Sequence, residues 1–177
     1  EYTLTNNSNS DGMIIKYSSS GEVEWARSVG GEGSEEITSV ASTSNGGYIA
    51  GGYFDSDEIQ VGEYTLENNG EDGMLIKYSA EGEVEWARRE GGSYDDGITS
   101  VASTRDGGYI AVGYFRNSSI QVGNYTLTNA NISSEDGMII KYEEKELVNV
   151  DVTKAEGIGA VSYTHLRANE TLRHLVC

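Results

Sequence analysis

The sequence predicts an all-β protein assembled from repeated units of short antiparallel strands. Glycine supplies 23 of the 177 residues, proline is absent and 37% of the residues are hydrophobic, which is typical of a turn-rich globular chain. A repeat is also visible, because GEVEWAR at residues 21–27 returns at residues 82–88, a step of 61 residues. DGMIIKY begins at Asp11, returns as DGMLIKY at Asp72, and appears again at Asp136, 64 residues later.

Each unit contains four segments with the pattern of β-strands. Residues 37–43 alternate between two faces, and Tyr48–Phe54 is rich in aromatic and β-branched side chains. Residues 13–17 form a short apolar run, and Val23–Val29 is a fourth strand-like segment. Turn-forming residues separate these segments, as in Ser-Asn-Gly-Gly at residues 44–47. The predicted strand order in a unit is therefore ITSVAST, GGYIAGGYF, DGMIIKY and VEWARSV.

This repeat predicts a fragment of a β-propeller. Four short antiparallel strands at a fixed period are typical of a propeller blade. A β-solenoid coil is the alternative, but solenoid repeats usually have roughly 20 to 30 residues and are shorter than this unit. Ile14 and Ile15 point to opposite faces of one strand, as expected for a sheet that neighbours cover on both sides. Two further β-like runs, residues 59–62 and Tyr64–Glu67, are inserted between the second and third strands.

At these motifs the chain resembles the bacterial β-propeller repeats of secreted and cell-surface proteins, including the group named for seven-bladed propellers. The shared pattern is a Gly-Gly pair, an acidic pair, an alternating strand, and then DGGYIAxGYF and DGxIIKYxxxGxxxWA, over about residues 1–159. The resemblance implies a scaffold fold and an extracellular or cell-surface location in a bacterium. Two departures are the insertion at residues 59–69 and Lys154, which replaces the tryptophan when residues 152–160 are aligned with VEWARSVGG.

The repeat divides residues 1–160 into three parts. Residues 1–31 are predicted to form the outer two strands of a preceding blade, residues 32–92 a complete blade, and residues 93–160 a second blade with a degenerate last strand. A closed propeller needs about four to eight blades, so these two to two and a half blades indicate an interior fragment of a larger protein. The start at Glu1, with neither an initiating methionine nor a signal segment, agrees with that expectation.

Residues 161–177 share nothing with the repeat. They contain Cys177, which is the only cysteine, and both histidines, His165 and His174. The stretch resembles the translation of a transposase-end adapter used in short-read sequencing libraries, which predicts a non-native C-terminal segment. The alternative is a short amphipathic helix, for which leucines such as Leu166 and Leu172 have near-helical spacing.

Charge and composition exclude several function classes. Lys and Arg number 12 against 29 Asp and Glu, a formal net charge of -17, so neither nucleic acid nor an anionic membrane surface is expected as a partner. No apolar stretch is long enough for membrane insertion. Because the repeat contains no histidine or cysteine, we expect neither a Ser-His-Asp or Cys-His nucleophile nor a His/Cys zinc site there.

Two acidic pairs are candidates for catalysis. Glu35-Glu36 and Asp95-Asp96 occupy equivalent loops, and paired carboxylates serve glycoside hydrolysis. An active site is normally unique, whereas a structural turn recurs in every unit. The recurrence therefore favours a structural role, and no catalytic or cofactor-binding residue is predicted.

A calcium loop is a further candidate. Asn7, Asn9 and Asp11 follow the alternation of oxygen ligands in a calcium-binding loop. No acidic residue closes that loop, because Ser18 stands at the closing position. An Asx-rich turn without a cofactor is therefore favoured over a calcium site.

The repeated aromatic residues are predicted to pack in the core. Trp25 and Trp86 occupy the same position in consecutive units, and so do Tyr53 and Tyr114. A sugar-stacking platform is the alternative for the two tryptophans, since an exposed indole face stacks on sugar rings.

These observations predict a non-enzymatic β-propeller segment of a bacterial surface or secreted protein, which acts as a binding, adhesion or interaction scaffold. The expected partners are a protein or glycan ligand and the neighbouring blades of a parent chain. Two alternatives stay open at this point. One is the scaffold of a propeller enzyme, for example a glycan-active one, with its site in other blades; the other is a passive spacer.

Overall fold

The computed structural model describes residues 1–129, 131 and 133–143, together with the backbone of residues 172 and 173, and these residues form strands and no helix. The strands are β1 (Gly12–Tyr17), β2 (Val23–Val29), β3 (Glu35–Ser42), β4 (Tyr48–Phe54), β5 (Glu58–Val61), β6 (Tyr64–Glu67), β7 (Asp72–Tyr78), β8 (Val84–Glu90), β9 (Asp96–Ser103), β10 (Tyr109–Phe115), β11 (Ser119–Val122), β12 (Tyr125–Thr128), β13 (Asp136–Tyr142) and β14 (Leu172–Arg173). Within this part of the chain, no helix is long and apolar enough to cross a membrane. The all-β prediction is confirmed.

The strands form three antiparallel sheets and two separate hairpins. Sheet 1 consists of β1 and β2, sheet 2 has the order β3-β4-β7-β8, and sheet 3 has the order β9-β10-β13-β14. The hairpins are β5-β6 and β11-β12. Sheet 2 therefore has the four-strand order that was predicted for one unit, and the inserted β-like runs form a hairpin.

The backbone pairing repeats along the chain. β4 pairs with β7 without a register shift, and β10 pairs with β13 in the same way. A shift follows Lys16 in β1 and recurs after Lys77 in β7. Because equivalent sequence positions have equivalent pairing, the 61-residue repeat is also a structural repeat.

The last strand of sheet 3 comes from an unexpected part of the chain. Residues 152–160, which were aligned with the outer strand of the earlier units, lie outside the described residues. Leu172 and Arg173 pair instead with Tyr142 and Lys141 of β13. The backbone at these two residues is extended rather than helical, and the remainder of the predicted non-native segment at 161–177 lies outside the described residues.

Two hydrophobic clusters fill the spaces between consecutive sheets. Junction 1, between sheets 1 and 2, includes Trp25 and Met74, and junction 2, between sheets 2 and 3, includes Leu75 and Met138. The hairpins contribute to both clusters, for example through Ile59, which is 1% exposed at junction 1. The insertion is therefore part of the core between two sheets.

The innermost strands of sheets 2 and 3 are also joined by polar contacts. The Thr38 hydroxyl donates to the carbonyl oxygen of Ile98 at 2.7 Å. The amide of Val101 donates to the Ser39 hydroxyl at 3.1 Å. These bonds fix the position of β9 against β3, so the two sheets are held by hydrogen bonds as well as by apolar packing.

Candidate functional site

The structure separates the members of each predicted acidic pair. Glu35 is 1% exposed and Asp96 is fully buried. Glu36 and Asp95 are exposed. Consecutive residues of an extended chain point to opposite sides, so one carboxylate of each pair enters the protein and the other faces solvent.

The two buried carboxylates hold loops together. Glu35 accepts hydrogen bonds from the Gly31 amide at 2.8 Å and from the Ser56 hydroxyl at 2.5 Å. At the equivalent place, Asp96 accepts from the Gly92 amide and from the side-chain amide of Asn117, both at 2.6 Å. Burial raises the pKa of Asp96, although these donors partly oppose the increase. Because their oxygens already accept bonds from the loops, both carboxylates have a structural role.

A further aspartate, fully buried in one unit and half-buried in the other, explains the first glycine of the pairs Gly30-Gly31 and Gly91-Gly92. A Cβ placed on Gly91 would lie 1.9 Å from Oδ1 of Asp72, and a Cβ placed on Gly30 would lie 2.2 Å from Oδ2 of Asp11. A Cβ at either position would force the neighbouring carboxylate to move. Asp72 also accepts a hydrogen bond from Nε of Arg89 at 2.7 Å, while burial raises the pKa of Asp72.

The three calcium candidates form a hydrogen-bonded turn. The backbone amide and the side-chain amide of Asn7 both donate to Oδ2 of Asp11, at 3.2 and 3.3 Å. The Asn9 side chain is exposed, and its backbone amide donates to the Gly33 carbonyl. Among the residues whose side chains the structure describes, no group of three or more His, Cys, Asp or Glu could hold a metal ion. The Asn6 side-chain oxygen accepts a hydrogen bond from the Ser8 amide at 3.0 Å, which is the bond of an Asx turn, and Asn7 donates its amide groups to Asp11.

A band of exposed and half-buried polar residues lies at the ends of sheets 2 and 3, and we call it the rim. Its members are Glu36, Tyr53, Glu71, Asp95, Tyr114, Arg116 and Glu135. Tyr53 donates to Glu36 at 2.7 Å, and this bond together with burial raises the pKa of Tyr53 to about 12. Tyr114 donates to Glu71 at 3.3 Å, and burial raises the pKa of Glu71.

Arg116 joins two rim acids. Its guanidinium lies 2.7 Å from Asp95 and 2.5 Å from Glu135. The prediction that all repeated tyrosines belong to the core is wrong for Tyr53 and Tyr114, since both are only half-buried and bind carboxylates with their hydroxyl groups. Both tyrosines stand next to last in their strands, β4 and β10, so their hydroxyl groups lie at the end of a sheet and reach carboxylates there.

The rim continues into a pocket whose charge changes from one unit to the next. Burial, and to a smaller extent the charge of Asp55 in this pocket, raises the pKa of Glu71 in the rim. Beside junction 1, an open pocket is lined by Glu32, Asp55, Asp57 and Glu58 together with Gly31, Gly33 and Ser56. The residues 61 positions later that replace the four acids are Ser93, Arg116, Ser118 and Ser119. The same backbone position is thus acidic beside junction 1 and neutral or basic beside junction 2.

A buried acid inside junction 2 was missed by the sequence analysis. Glu90 is 4% exposed, and the Tyr142 hydroxyl donates to its Oε1. Burial raises the pKa of Glu90 to about 7, which the Tyr142 bond and the Arg88 charge only partly oppose. The equivalent residue in the preceding unit is Val29, so a comparison of the two repeats at this position would have found the difference.

The tryptophans pack at the junctions as predicted. Trp25 is 4% exposed, stacks on Tyr78 with a ring distance of 6.1 Å, and donates from Nε1 to the carbonyl of Ala80 at 3.0 Å. Trp86 is half-buried and stacks on Tyr142 at 6.0 Å. The buried face of Trp25 is not open to a sugar ring.

Comparison with known proteins agrees with this architecture. The chain is 29% identical over 172 residues to an uncharacterized WD repeat-containing protein, L264, of Acanthamoeba polyphaga mimivirus. The fold fits a segment of a β-propeller. The match covers 88% of this chain but 12% of that protein, so the chain spans a small part of its relative's length. No protein-family model matches the chain, and the viral relative supports neither the bacterial family nor the adapter origin of residues 161–177.

Proposed function

We propose that this chain is a non-enzymatic propeller segment that acts as a binding scaffold, and that the rim is its binding surface. The bacterial surface or secreted location expected from the resemblance is part of this proposal. A protein ligand is favoured over a glycan, since the rim offers charged groups and Trp25 is buried. The proposal rests on the difference between the repeated residues and the variable ones.

The repeated polar residues serve the fold. Glu35 and Asp96 take their hydrogen bonds from the loops, and Asp72 packs on Gly91 and binds Arg89. The acids that differ between units line the pocket beside junction 1 instead, and their equivalents in the next unit are Ser93, Arg116, Ser118 and Ser119. A surface whose charges vary on a constant backbone is what a scaffold needs to recognise a particular partner.

The pocket beside junction 1 indicates the charge of the partner. Four carboxylates line it, and the whole chain carries a net charge of -17. Long-range attraction and the local charges therefore both favour a cationic partner segment. Because the acids are exposed, their contribution should decrease as the ionic strength increases.

A labelled oligolysine peptide tests this proposal. We expect the chain to bind the peptide at low salt, as measured by fluorescence anisotropy, and binding to weaken with added salt. The double substitution Asp57→Asn with Glu58→Gln should weaken binding by roughly twofold to thirtyfold, since two exposed ion pairs contribute about 0.2–1 kcal/mol each.

A matched control separates local recognition from total charge. Glu22→Gln with Glu81→Gln removes the same charge from turns at the opposite end of the sheets, and it should leave affinity nearly unchanged. If both double variants lost the same affinity for the peptide, net charge alone would explain the effect. That result would contradict the assignment of the pocket as the binding site. No binding in the unaltered chain would favour a passive spacer. Turnover of a glycan at the rim would favour the enzyme alternative.

A further inference from the structure

Three equivalent residues of β1 and β7 differ sharply in exposure. In sheet 2, Met74, Ile76 and Tyr78 are at most 1% exposed. In sheet 1, the residues 61 positions earlier are Met13 at 63%, half-buried Ile15, and Tyr17 at 58%. We call Met13, Ile15 and Tyr17 the open face. Its apolar side chains have the same sequence pattern as a face that is buried one unit later.

Junction 1 shows what covers such a face. Side chains of the preceding sheet, among them Ile14, Trp25 and Val29, pack in one cluster with Met74, Ile76 and Tyr78. At junction 2, Ile49 and Leu75 of sheet 2 pack in one cluster with Met138, Ile140 and Tyr142 of sheet 3. The covering partner is thus the opposite face of another sheet of the same repeat in both cases.

Such a covering face exists on sheet 3. Ile110 and Ile139 of sheet 3 are the equivalents of Ile49 and Leu75, which are fully buried in junction 2. In sheet 3 the two isoleucines are half-buried. The chain therefore carries both halves of one interface, with the open face on sheet 1 and the complementary face on sheet 3.

We propose that the open face docks the Ile110 and Ile139 face of a second copy of this chain, in the geometry of junction 2. The contact is heterologous, because two different surfaces meet, so each copy keeps one further face for another copy. Association follows from burying apolar side chains that the equivalent positions already bury within one chain. This inference depends on the stacking of the sheets and not on the proposed binding function of the rim.

Charge opposes this association in a measurable way. The net charge of -17 makes two copies repel each other. Added salt screens that repulsion, while apolar contacts persist. Self-association should therefore strengthen with ionic strength, whereas oligolysine binding at the rim should weaken, and the two proposals fail independently.

Sedimentation velocity over about 1 to 100 µM tests the contact. We expect the weight-average sedimentation coefficient to rise with concentration. Tyr17→Glu should reduce the association constant at least about tenfold, because it places a charge in the apolar contact. Tyr94→Glu is the matched control, since Tyr94 is 65% exposed and lies outside both faces, and it should associate like the unaltered chain.

Complementation tests the heterologous geometry. Ile110→Glu should block the second face, so each single variant should sediment as a monomer. An equimolar mixture of Tyr17→Glu and Ile110→Glu retains one intact face of each kind and should form a dimer that grows no further. Circular dichroism and melting temperature verify that each variant folds. A concentration-independent monomer for the unaltered chain, or a mixture that stays monomeric while the unaltered chain associates, would overturn the proposal.

Discussion

Junction 1 and junction 2 have the same backbone arrangement and different chemistry. At one shared position, junction 1 contains Val29, which is 2% exposed, and junction 2 contains Glu90, which is 4% exposed. The carboxyl group is accommodated because Tyr142 donates a hydrogen bond to it. The comparison shows that the repeat fixes the space between sheets but not the chemistry in that space. Stability of the two junctions can therefore respond differently to one change of conditions.

The tryptophans mark a second difference between the junctions. The turn before β8 covers Trp25, since a Cβ on Gly82 would lie 2.6 Å from its ring. Trp86 is only half-buried among the residues that the structure describes, although it stacks on Tyr142 and has a tilted ring contact with Tyr109. More of the free energy of packing is therefore expected from the tryptophan of junction 1.

The largest expected effect is the loss of Trp25. Trp25→Ala should lower the free energy of unfolding by about 3–5 kcal/mol, because it leaves a cavity between Tyr48 and Tyr78. Trp86→Ala should cost less, about 1–3 kcal/mol, because that side chain is only partly buried. Urea denaturation followed by far-UV circular dichroism measures both values. A greater loss at Trp86 would reverse the comparison.

Glu90 should give junction 2 a pH dependence that Val29 cannot give junction 1. The pKa of Glu90 is raised to about 7 in the folded chain, from an ordinary value of 4.5 that applies to the unfolded chain. Protonated Glu90 therefore gives its full stabilisation at pH values below the pKa of the unfolded chain. That stabilisation is lost as the pH rises through 7. Glu90→Gln keeps a neutral acceptor for Tyr142, so we expect it to exceed the unaltered chain in stability by about 3 kcal/mol at pH 8 and to equal it near pH 4.

Melting curves between pH 4 and pH 8 give this difference directly. Glu81→Gln, in an exposed turn, is the control and should track the unaltered chain across the whole range. An offset between Glu90→Gln and the unaltered chain that does not change with pH would exclude Glu90 as the titrating group.

The loops that contain Gly30-Gly31 and Gly91-Gly92 should differ in their tolerance of an added methyl group. Gly91→Ala should cost about 1–3 kcal/mol, since its Cβ would meet the buried Asp72 carboxylate that Arg89 holds in place. Gly30→Ala should cost less than about 1 kcal/mol, because Asp11 is half-buried and can rotate toward solvent. Differential scanning calorimetry of the two variants measures both losses of stability. Similar losses would mean that Asp11 is as constrained as Asp72.

The smallest effect is expected at the ion pair that crosses junction 1. Arg27 lies 2.8 Å from Glu83, whose side chain is 78% exposed. Glu83→Gln should change stability by less than about 0.5 kcal/mol, and high salt should remove that difference. A salt-independent loss would indicate that Arg27 is held over Trp25 by this acid rather than merely attracted to it.

The sequence predicted the fold well where the repeat supplied the evidence. Period, strand alternation and Gly-rich turns were sufficient for the order of sheet 2, and β4 and β6 have the predicted bounds. The contribution of the β5-β6 hairpin to junction 1 was not predictable, because four-residue strands of mixed polarity do not show what will cover them. Likewise, alternation gives two faces for Glu35 and Glu36 but does not say which of them is buried.

The candidate site was harder to predict than the fold. The acidic pairs could be singled out from the sequence, but the division of Glu35-Glu36 into a buried acid and a rim acid depends on tertiary contacts with Ser56 and Tyr53. The rim itself combines residues from several loops, as when Arg116 meets Asp95 and Glu135. No local sequence pattern shows that such residues lie together. The charge difference between the two units could therefore be recognised as a property of one surface only in the folded chain.

Oxidation of the methionines tests the stacking of the sheets most directly. Met13, Met74 and Met138 are the only methionines, and they occupy one position of the repeat with exposures of 63%, 1% and 3%. Dilute hydrogen peroxide oxidises exposed thioethers. The protein is kept at a concentration too low for self-association, and peptide mass spectrometry measures the oxidation rate of each methionine. We expect Met13 to react at least about tenfold faster than the other two. Equal rates at all three positions would contradict the stacked arrangement of the sheets.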